Sequence, residues 1–503
     1  MQIDLGLPKD KIERFMGICL LLLLIGLPLS RFLVSVSGLL IAVSFLVLFF
    51  TKKIQKPSVQ AKWALLSFLL VFFCHVFWLV MDGDNFTHAL RDLQIKLPLL
   101  LFPVIFAFGP QWSKSFTKNL LLLFVGACWI SSLVTIGIGL SDILLDRGMS
   151  FRQYSPFFSH IRLALNVVLA LSIMLLKKGL FNGIKRPQLV KIMLGFSFLL
   201  CLVLLQSVTG LGILFLIALF FLPRLGYGLV GKVLIGMLSL LVIYVLGLVI
   251  NYKVKLDPKP ENLSNYTTEN GHYVYYDKDE YTMSLAWNER STFPYDSVND
   301  MGFVLKATLF RYLSSKNLPK DSSGINALDD REINAIESGQ SNYLSKEWWP
   351  IRSRFEAIRF QYENLQSGGN PNGNSVAMRT VYWELALDLI AEKPWLGRGM
   401  QNLKTAFKEA YQDYPEPIDQ EYRKRAHNQW LTFFICFGVL GFLLCLFGFL
   451  YPANLLRNGK ALANVYLLIL FASFLFEDTL ETQMGATFAG FWYAWFFLAR
   501  KRH

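Results

Sequence analysis

Two polar motifs in the second half of the chain contain residue types that could carry out chemistry. The motifs read Arg379-x-x-x-Trp383 followed by Pro394-x-x-Gly397-x-Gly399, and His427-Asn428 followed after nine residues by Gly438-x-x-Gly441. A neutral imidazole can take a proton from a hydroxyl near neutral pH, and a guanidinium fits two phosphate oxygens. These residue types predict a site in which His427 is a general base and Arg379 binds a diphosphate.

A second set of polar residues stands near the ends of long apolar segments. A charge in the middle of a bilayer costs from about 3 to more than 10 kcal/mol, so charges kept close to lipid usually serve a function. The set comprises Arg91, Lys96, His160, Arg162, Asn166, the polar break 206–210, and an acidic loop of Glu477, Asp478 and Glu481. We expect one cationic pocket that binds the diphosphate of a polyprenyl-linked sugar. Its expected diphosphate ligands are Arg162, Arg91, Lys96 and His160.

The two central residues also have structural interpretations. His427 could be a histidine at the membrane boundary that bonds to a backbone group. Arg379 could pair with Glu384 or Asp388 on its own helix, because these residues lie close to it along the helix. Trp383 would then be a core or interface aromatic residue.

The remaining polar residues have simpler explanations as well. Arg162 and Lys96 could be anchors whose charged ends reach the membrane surface. The acidic loop is more readily a solvated loop than a set of catalytic acids. Gly438 and Gly441 need no chemical role, because glycines allow close packing of membrane helices.

Composition indicates the elements that must position these residues. The chain has 503 residues, of which 54% are hydrophobic and only 17% are charged, whereas soluble proteins have about a quarter charged residues. Long uncharged runs at 16–29, 192–205 and 233–250 indicate membrane-spanning helices. We therefore predict an all-α polytopic membrane protein.

The hydrophobic runs predict about twelve spans. Their expected limits are 15–29, 32–50, 63–81, 97–109, 119–139, 161–176, 191–206, 209–222, 233–251, 430–450, 462–477 and 485–499. Lys and Arg concentrate on one side of these spans, which predicts cytoplasmic termini. The net charge of +13 then belongs mostly to the cytoplasmic rim and its anionic lipid, and we expect no nucleic-acid partner.

Three regions follow from these spans. Residues 1–251 form an N-terminal bundle of about nine helices, 252–427 a large outward insertion, and 428–503 about three final helices. Within the insertion, 252–294 is predicted as loop with short strands. The rest is predicted to be helical over 325–338, 342–365, 376–392 and 400–412, with a breaker at 367–373 and a cap at Ser375. The six cysteines all lie in apolar runs, so we expect no metal and no cofactor.

Over residues 375–445, the two motifs resemble the signature of the O-antigen ligase and polymerase superfamily. The resemblance implies a metal-independent GT-C glycosyltransferase, with its large insertion in the periplasm of a bacterial inner membrane. It implies transfer of a glycan from undecaprenyl diphosphate, with inversion at the anomeric carbon. Carried over by position, His427 is the candidate base and Arg379 a diphosphate ligand. The supporting residues are Asn428, Trp383, Gly397, Gly399, Gly438 and Gly441.

One position departs from the pattern of that superfamily. Members often have an arginine in the Ser-Arg-x-Gly break, whereas this chain reads Ser207-Val208-Thr209-Gly210. Either Arg162 or Arg91 supplies the missing charge, or the chain has changed in activity. We favour Arg162.

The resemblance leaves several functions open. A ligase would transfer the glycan to a lipid A-core hydroxyl, a polymerase to a second lipid-linked glycan, and a protein O-oligosaccharyltransferase to a hydroxyl side chain. All three use the same donor, so the motifs do not separate them. A multi-span transporter is a further alternative, although the charges cluster on one side of the membrane instead of in its middle.

Overall fold

The computed structural model describes most of the chain. The described residues are 5–81, 86–145, 151–221, 236, 240, 257–258, 268–346, 358–361, 371–372, 377–414, 418–455 and 461–499. Most of the predicted span 233–251, the predicted cap at Ser375 and most of the breaker 367–373 lie outside them.

Eight helices make up the described part of the first 221 residues. Helices α1–α8 are Lys11–Leu29, Arg31–Phe50, Val59–Met81, Phe86–Phe108, Lys114–Leu145, His160–Leu176, Pro187–Leu204 and Val208–Phe221. Short polar side chains set the first boundaries: the Asp10 carboxylate accepts the backbone N–H groups of Ile12 and Glu13, and the Ser30 hydroxyl accepts that of Leu33. Such caps satisfy N–H groups that have no partner within the helix.

The apolar helices identify a membrane protein. Among the described residues, six helices are long and apolar enough to cross a bilayer, and shorter apolar helices accompany them. The chain is therefore a mostly helical, multi-span membrane protein. The predicted helix positions agree with the structure to within a few residues, except that α4 begins at Phe86 and not near 97. Hydrophobicity missed its first turns because they carry Arg91, Asp92 and Lys96.

The insertion contains a small helical lobe. Strands β1 (Thr268–Glu269) and β2 (His272–Tyr273) form an antiparallel hairpin, as the prediction of short strands expected. Helices α9–α14 follow at Glu280–Arg290, Leu305–Ser315, Ser322–Asn326, Asp330–Glu337, Ala377–Glu392 and Leu403–Ala410. The lobe has its own buried core around Trp287 and Tyr312.

Two predictions for the insertion are wrong in detail. Helix α9 lies in the segment predicted as loop; it is capped by Asp279 and buries Met283 and Trp287 at helical spacing. The helix predicted over 325–338 is two helices, because Asp329 forms a capping box that starts α12. Within the helix predicted over 342–365, the structure describes the 3-10 turn Tyr343–Lys346 and the helical residues 358–361, and the other residues after 346 lie outside the described part of the chain.

Three helices end the chain: α15 (Gln429–Leu455), α16 (Ala461–Phe476) and α17 (Gln483–Phe497). Their buried side chains belong to the same hydrophobic cluster as those of α1, α3 and α5–α8. Buried residues of α13 and α14 belong to that cluster too. The end of the insertion therefore packs with the membrane helices and not with the core of the lobe.

Helix α15 is interrupted at Gly438, where the backbone has φ 63° and ψ −170°. A short segment, residues 394–399, fills the interruption, and we call it the docking loop. Four backbone hydrogen bonds hold it there: Arg398 N–H to Ile435 O (2.8 Å), Gly399 N–H to Cys436 O (2.8 Å), Val439 N–H to Pro394 O (2.8 Å) and Leu440 N–H to Trp395 O (3.3 Å). The loop thus pairs the groups that the break in α15 leaves free.

The glycines of both motifs make this contact possible. A Cβ at Gly438 would lie 2.3 Å from the Trp395 carbonyl carbon, and one at Gly397 would lie 2.5 Å from the Cys436 carbonyl carbon. The prediction that Gly438 allows close helix packing is therefore corrected, because its close neighbour is a loop. Gly441 lies against Phe437 of its own helix. The Pro394–Gly399 part of the first motif and the Gly438 part of the second are therefore in direct backbone contact.

Candidate functional site

The site centres on Glu477, directly after α16. Nη2 of Arg379 lies 3.7 Å from Oε1 of Glu477, and Nδ1 of His427 lies 3.8 Å from Oε2. Arg379 also donates to the carbonyl of Phe476 (3.5 Å). One carboxylate therefore brings together the imidazole and the guanidinium that the sequence singled out.

Further positive charges surround Glu477. Arg162, in the first turn of α6, interacts electrostatically with it, and Arg152 interacts with both Glu477 and Arg379. Burial alone would raise the pKa of Glu477, but His427, Arg379 and Arg162 outweigh burial and lower it. The surrounding positive charges therefore favour the ionised form of the Glu477 carboxylate.

The elements around His427 hold it in a defined place. His427 itself has a positive φ of 47°, so the chain turns sharply just before α15. On one side, Trp383 of α13 donates from its indole N–H to the carbonyl of Ala426 (3.1 Å), and the Tyr382 ring lies 5.7 Å from the imidazole. On the other side, the Asn428 side chain accepts the N–H groups of Trp430 and Leu431 and caps α15. Trp383 and Asn428 thus support the turn that carries His427.

A second charge cluster lies beside the first, around Glu481. Lys96 of α4 donates to Glu481 (2.6 Å) and to Asp92 (2.7 Å), and Arg425 donates to Glu481 (3.1 Å). Gln429 joins the network by donating to Glu481 (3.2 Å). Although burial raises it, the charges of Lys96 and Arg425 lower the pKa of Glu481 to about 2. This cluster ties α4 and α15 to the loop that carries Glu477.

This network corrects two expectations. The Lys96 side chain has 0% exposure and two carboxylate partners, so it is neither a surface anchor nor available to a diphosphate. Glu481 is 1% exposed and Asp478 is also largely enclosed, accepting from the Thr432 hydroxyl (2.8 Å). The acidic loop is therefore not simply solvated, because Glu481 is buried in a charge network while Glu477 and Asp478 are partly buried beside the cleft.

The other predicted ligands differ in their placement. Within the described part of the chain, Arg91 is exposed and no ion pair joins it to either cluster. His160 begins α6, two residues before Arg162, with its ring 5.4 Å from that of Phe151. Arg379 meets Glu477 and not Glu384, which instead accepts from the Tyr414 hydroxyl. Arg162 is a predicted ligand whose charge acts on Glu477, as Arg379 is.

An open cleft adjoins Glu477. It encloses about 520 Å³ of empty space, including the part open to solvent. Its polar lining includes Arg162, Asn166, Glu477 and Asp478. Its apolar lining includes Leu27, Phe158, Leu165, Met484 and Phe488. A cleft with a charged side and an apolar side suits a ligand that has a charged head and a hydrocarbon tail.

The break at 207–210 packs against α6 at Ala164. The Ser207 hydroxyl accepts the N–H of Gly210, and a Cβ at Gly210 would lie 3.0 Å from that of Ala164. The start of α8 therefore touches α6 two residues from Arg162. The choice of Arg162 over Arg91 as the substitute for an arginine at position 208 stays a prediction.

The sequence did not identify two residues of the site. Arg152 belongs to neither motif, and Glu477 was predicted to lie in a solvated loop. The only available signal was the density of acidic residues between two apolar segments. Among the described residues, no group of three or more His, Cys, Asp or Glu side chains could hold a metal ion.

These features define the class: a multi-span membrane protein with an open cleft beside Glu477, the carboxylate that Arg379 and His427 share. The charged lining of the cleft is Arg162 with Glu477 and Asp478, so the expected cationic pocket is corrected to a pocket of mixed charge. The O-antigen ligase family matches residues 192–446, and the chain belongs to that family. It is therefore a membrane glycosyltransferase whose family acts on lipid-linked glycans, which decides against the transporter alternative. The comparison with curated proteins gives no matching relative.

Proposed function

We propose that the chain transfers a glycan from undecaprenyl diphosphate to a hydroxyl of a lipid A-core acceptor. The reaction takes place at the periplasmic face of the inner membrane, with both termini in the cytoplasm, and it inverts the anomeric carbon without a metal ion. The observation that carries the proposal is the position of Arg379 and His427 on the two oxygens of Glu477.

The arginines bind the leaving group. A diphosphate offers Arg379 and Arg162 more negative charge than one carboxylate does, so it competes with Glu477 for both guanidinium groups. As the bond between the anomeric carbon and the diphosphate oxygen breaks, its electron pair stays on the diphosphate. The guanidinium groups stabilise that growing charge. The apolar side of the cleft receives the first prenyl units.

His427 removes the proton from the acceptor. A carboxylate beside Nδ1 favours the tautomer that carries its proton on Nδ1, which leaves Nε2 to accept one. The acceptor oxygen attacks the anomeric carbon opposite the diphosphate, and its proton passes to Nε2. Glu477 then stabilises the imidazolium. The separation of 3.8 Å between Nδ1 and Glu477 is longer than a hydrogen bond, and we expect it to shorten when substrate binds.

The test replaces the proposed base. His427→Ala should lower the rate of transfer by about 10²- to 10⁴-fold, the usual contribution of a general base. The measurement is turnover of lipid-linked glycan by protein reconstituted in liposomes. His272→Ala is the matched control, because His272 pairs with Asp257 in the lobe and should keep full activity. Near wild-type turnover by the His427 variant would remove the proposed base.

The acceptor is tested separately, because a polymerase and a protein O-oligosaccharyltransferase would use the same donor chemistry. Deleting the gene and examining lipopolysaccharide and glycoproteins on gels distinguishes the three. We expect loss of all long glycan from lipid A, with accumulation of lipid-linked glycan. A single added repeat would indicate a polymerase, and loss from proteins alone would indicate the third activity.

A further inference from the structure

The docking loop exposes two large apolar side chains within the predicted water-soluble insertion. Trp395 is 67% exposed and Leu396 is 56% exposed. The carbonyl of Trp395 accepts the N–H of Leu440, and the carbonyl of the preceding Pro394 accepts that of Val439, so the backbone of the loop is fixed on α15. The two exposed side chains are therefore held beside α15 at the position of Gly438.

The length of α15 sets the depth of that position. Gly438 is followed by 17 residues up to Leu455, which at 1.5 Å per residue cover about 26 Å. The hydrocarbon core is about 30 Å thick. If the helix runs along the membrane normal and Leu455 lies at one boundary of the hydrocarbon core, Gly438 lies inside the core, about 4 Å from the opposite boundary. The docking loop then sits at the edge of the hydrocarbon.

A second contact joins the same region to α3. The Gln401 side chain, just after the docking loop, donates to the carbonyl of Trp78 (3.0 Å). Trp78 is the last residue of the apolar span of α3. The chain just after the loop is thus bonded to the end of the α3 span, and the loop itself is bonded to α15 at its interruption.

The charges next to the loop fit a lipid headgroup layer. Lys393 is exposed before the loop, and Lys404 and Lys408 are exposed on one face of α14 after it. Arg398 within the loop pairs with Glu392. Tryptophan is enriched at the boundary between water and lipid, and lysines beside it attract anionic phospholipid.

We propose that the docking loop is a membrane anchor, with Trp395 and Leu396 inserted among phospholipid acyl chains. Lys393, Lys404 and Lys408 lie at the level of the headgroups. The anchor fixes the depth of α13, which begins two residues before Arg379. This inference concerns a lipid contact and does not depend on the identity of the donor or the acceptor.

The test measures the surroundings of position 396 directly. Leu396→Cys is labelled with a nitroxide in nanodiscs of neutral and anionic phospholipid. Its collision rates with oxygen, which concentrates in lipid, and with a water-soluble nickel chelate are then compared. Tyr281→Cys is the control, because Tyr281 is 74% exposed in the lobe. The labelled wild-type chain gives the background, since five of the six native cysteines are buried and Cys74 is half-buried.

We expect the ratio of oxygen to nickel collisions at position 396 to exceed that at 281 several-fold. Trp395→Cys should give the same result, so the test does not depend on one variant. Equal ratios at 395, 396 and 281 would mean that the loop lies in water and would overturn the proposal. A high ratio in a variant that has lost transferase activity would still support the anchor, so the two proposals fail separately.

Discussion

At the scale of single residues, the proposed chemistry depends on how one carboxylate is shared. Glu477 meets Arg379 through one oxygen and His427 through the other. Neither contact is a short hydrogen bond, so a diphosphate can replace the carboxylate at Arg379 without breaking a strong interaction. The arrangement places a candidate phosphate ligand, Arg379, and a candidate base, His427, next to the same carboxylate.

The fork shape of Arg379 should matter as well as its charge. Arg379→Lys keeps the charge but loses the two parallel donors. We expect it to restore little of the activity lost in Arg379→Ala, with the defect seen in both kcat and kcat/KM for the lipid-linked donor. Arg290→Lys, a change in the lobe where Arg290 bonds to Ile325 and Leu328, is the control. Full activity of the Arg379→Lys variant would argue against bidentate contact.

Replacing Glu477 should separate binding from turnover. Glu477→Gln removes the competitor for Arg379 and Arg162, so the KM for donor should fall. It also removes the charge that stabilises the His427 imidazolium, so kcat should fall by about 10-fold or more, equivalent to at least about 1.4 kcal/mol. Steady-state kinetics measure both constants. A rise in KM with kcat unchanged would assign Glu477 a different role.

At the scale of elements, the residues of the two motifs join the docking loop to α15 where that helix is interrupted at Gly438. Gly438→Ala would force a Cβ into a backbone conformation that is essentially restricted to glycine, which costs on the order of 1–3 kcal/mol before the clash with Trp395. We expect a lower midpoint of thermal unfolding in detergent. Gly212→Ala is the control, because no atom lies within 4 Å of that site. An unchanged midpoint for the Gly438 variant would contradict the described docking.

The Glu481 network should be structural. Glu481→Gln leaves the enclosed Lys96 with only Asp92 as a charged partner. Loss of one partner from a buried ion pair costs about 3–5 kcal/mol, so the unfolding midpoint should drop clearly. Glu280→Gln removes a partly exposed pair with Lys278 and should cost less than about 1 kcal/mol. Equal midpoints for the two variants would mean that the network contributes little to stability.

At the scale of the whole molecule, hydrophobicity alone placed nearly all of the described membrane helices. It failed at the start of α4, because ion pairs neutralise charges there that a hydropathy count treats as polar. The motifs pointed to Arg379 and His427, since their residue types are unusual beside lipid. Lys96 was misassigned because sequence does not reveal Glu481 as its partner, 385 positions away. The docking loop was missed because the motif glycines Gly397 and Gly438 permit a close backbone contact without indicating which backbone they approach.

The assembled protein should not need a metal ion for transfer. Arg379 and Arg162 supply the positive charge that a divalent cation would otherwise provide at the diphosphate. We therefore expect full turnover in excess EDTA, measured with reconstituted protein. Loss of activity that returns on adding a divalent cation would refute this expectation.

The most direct test asks whether His427 and Arg379 work as one unit. Transfer rates are measured for His427→Ala, Arg379→Ala and the double variant under single-turnover conditions with saturating donor. Because residues of one catalytic site are strongly non-additive, we predict that the double variant is no slower than the slower single variant. Rate losses that multiply in the double variant would mean that the two side chains act independently and would contradict a shared site at Glu477.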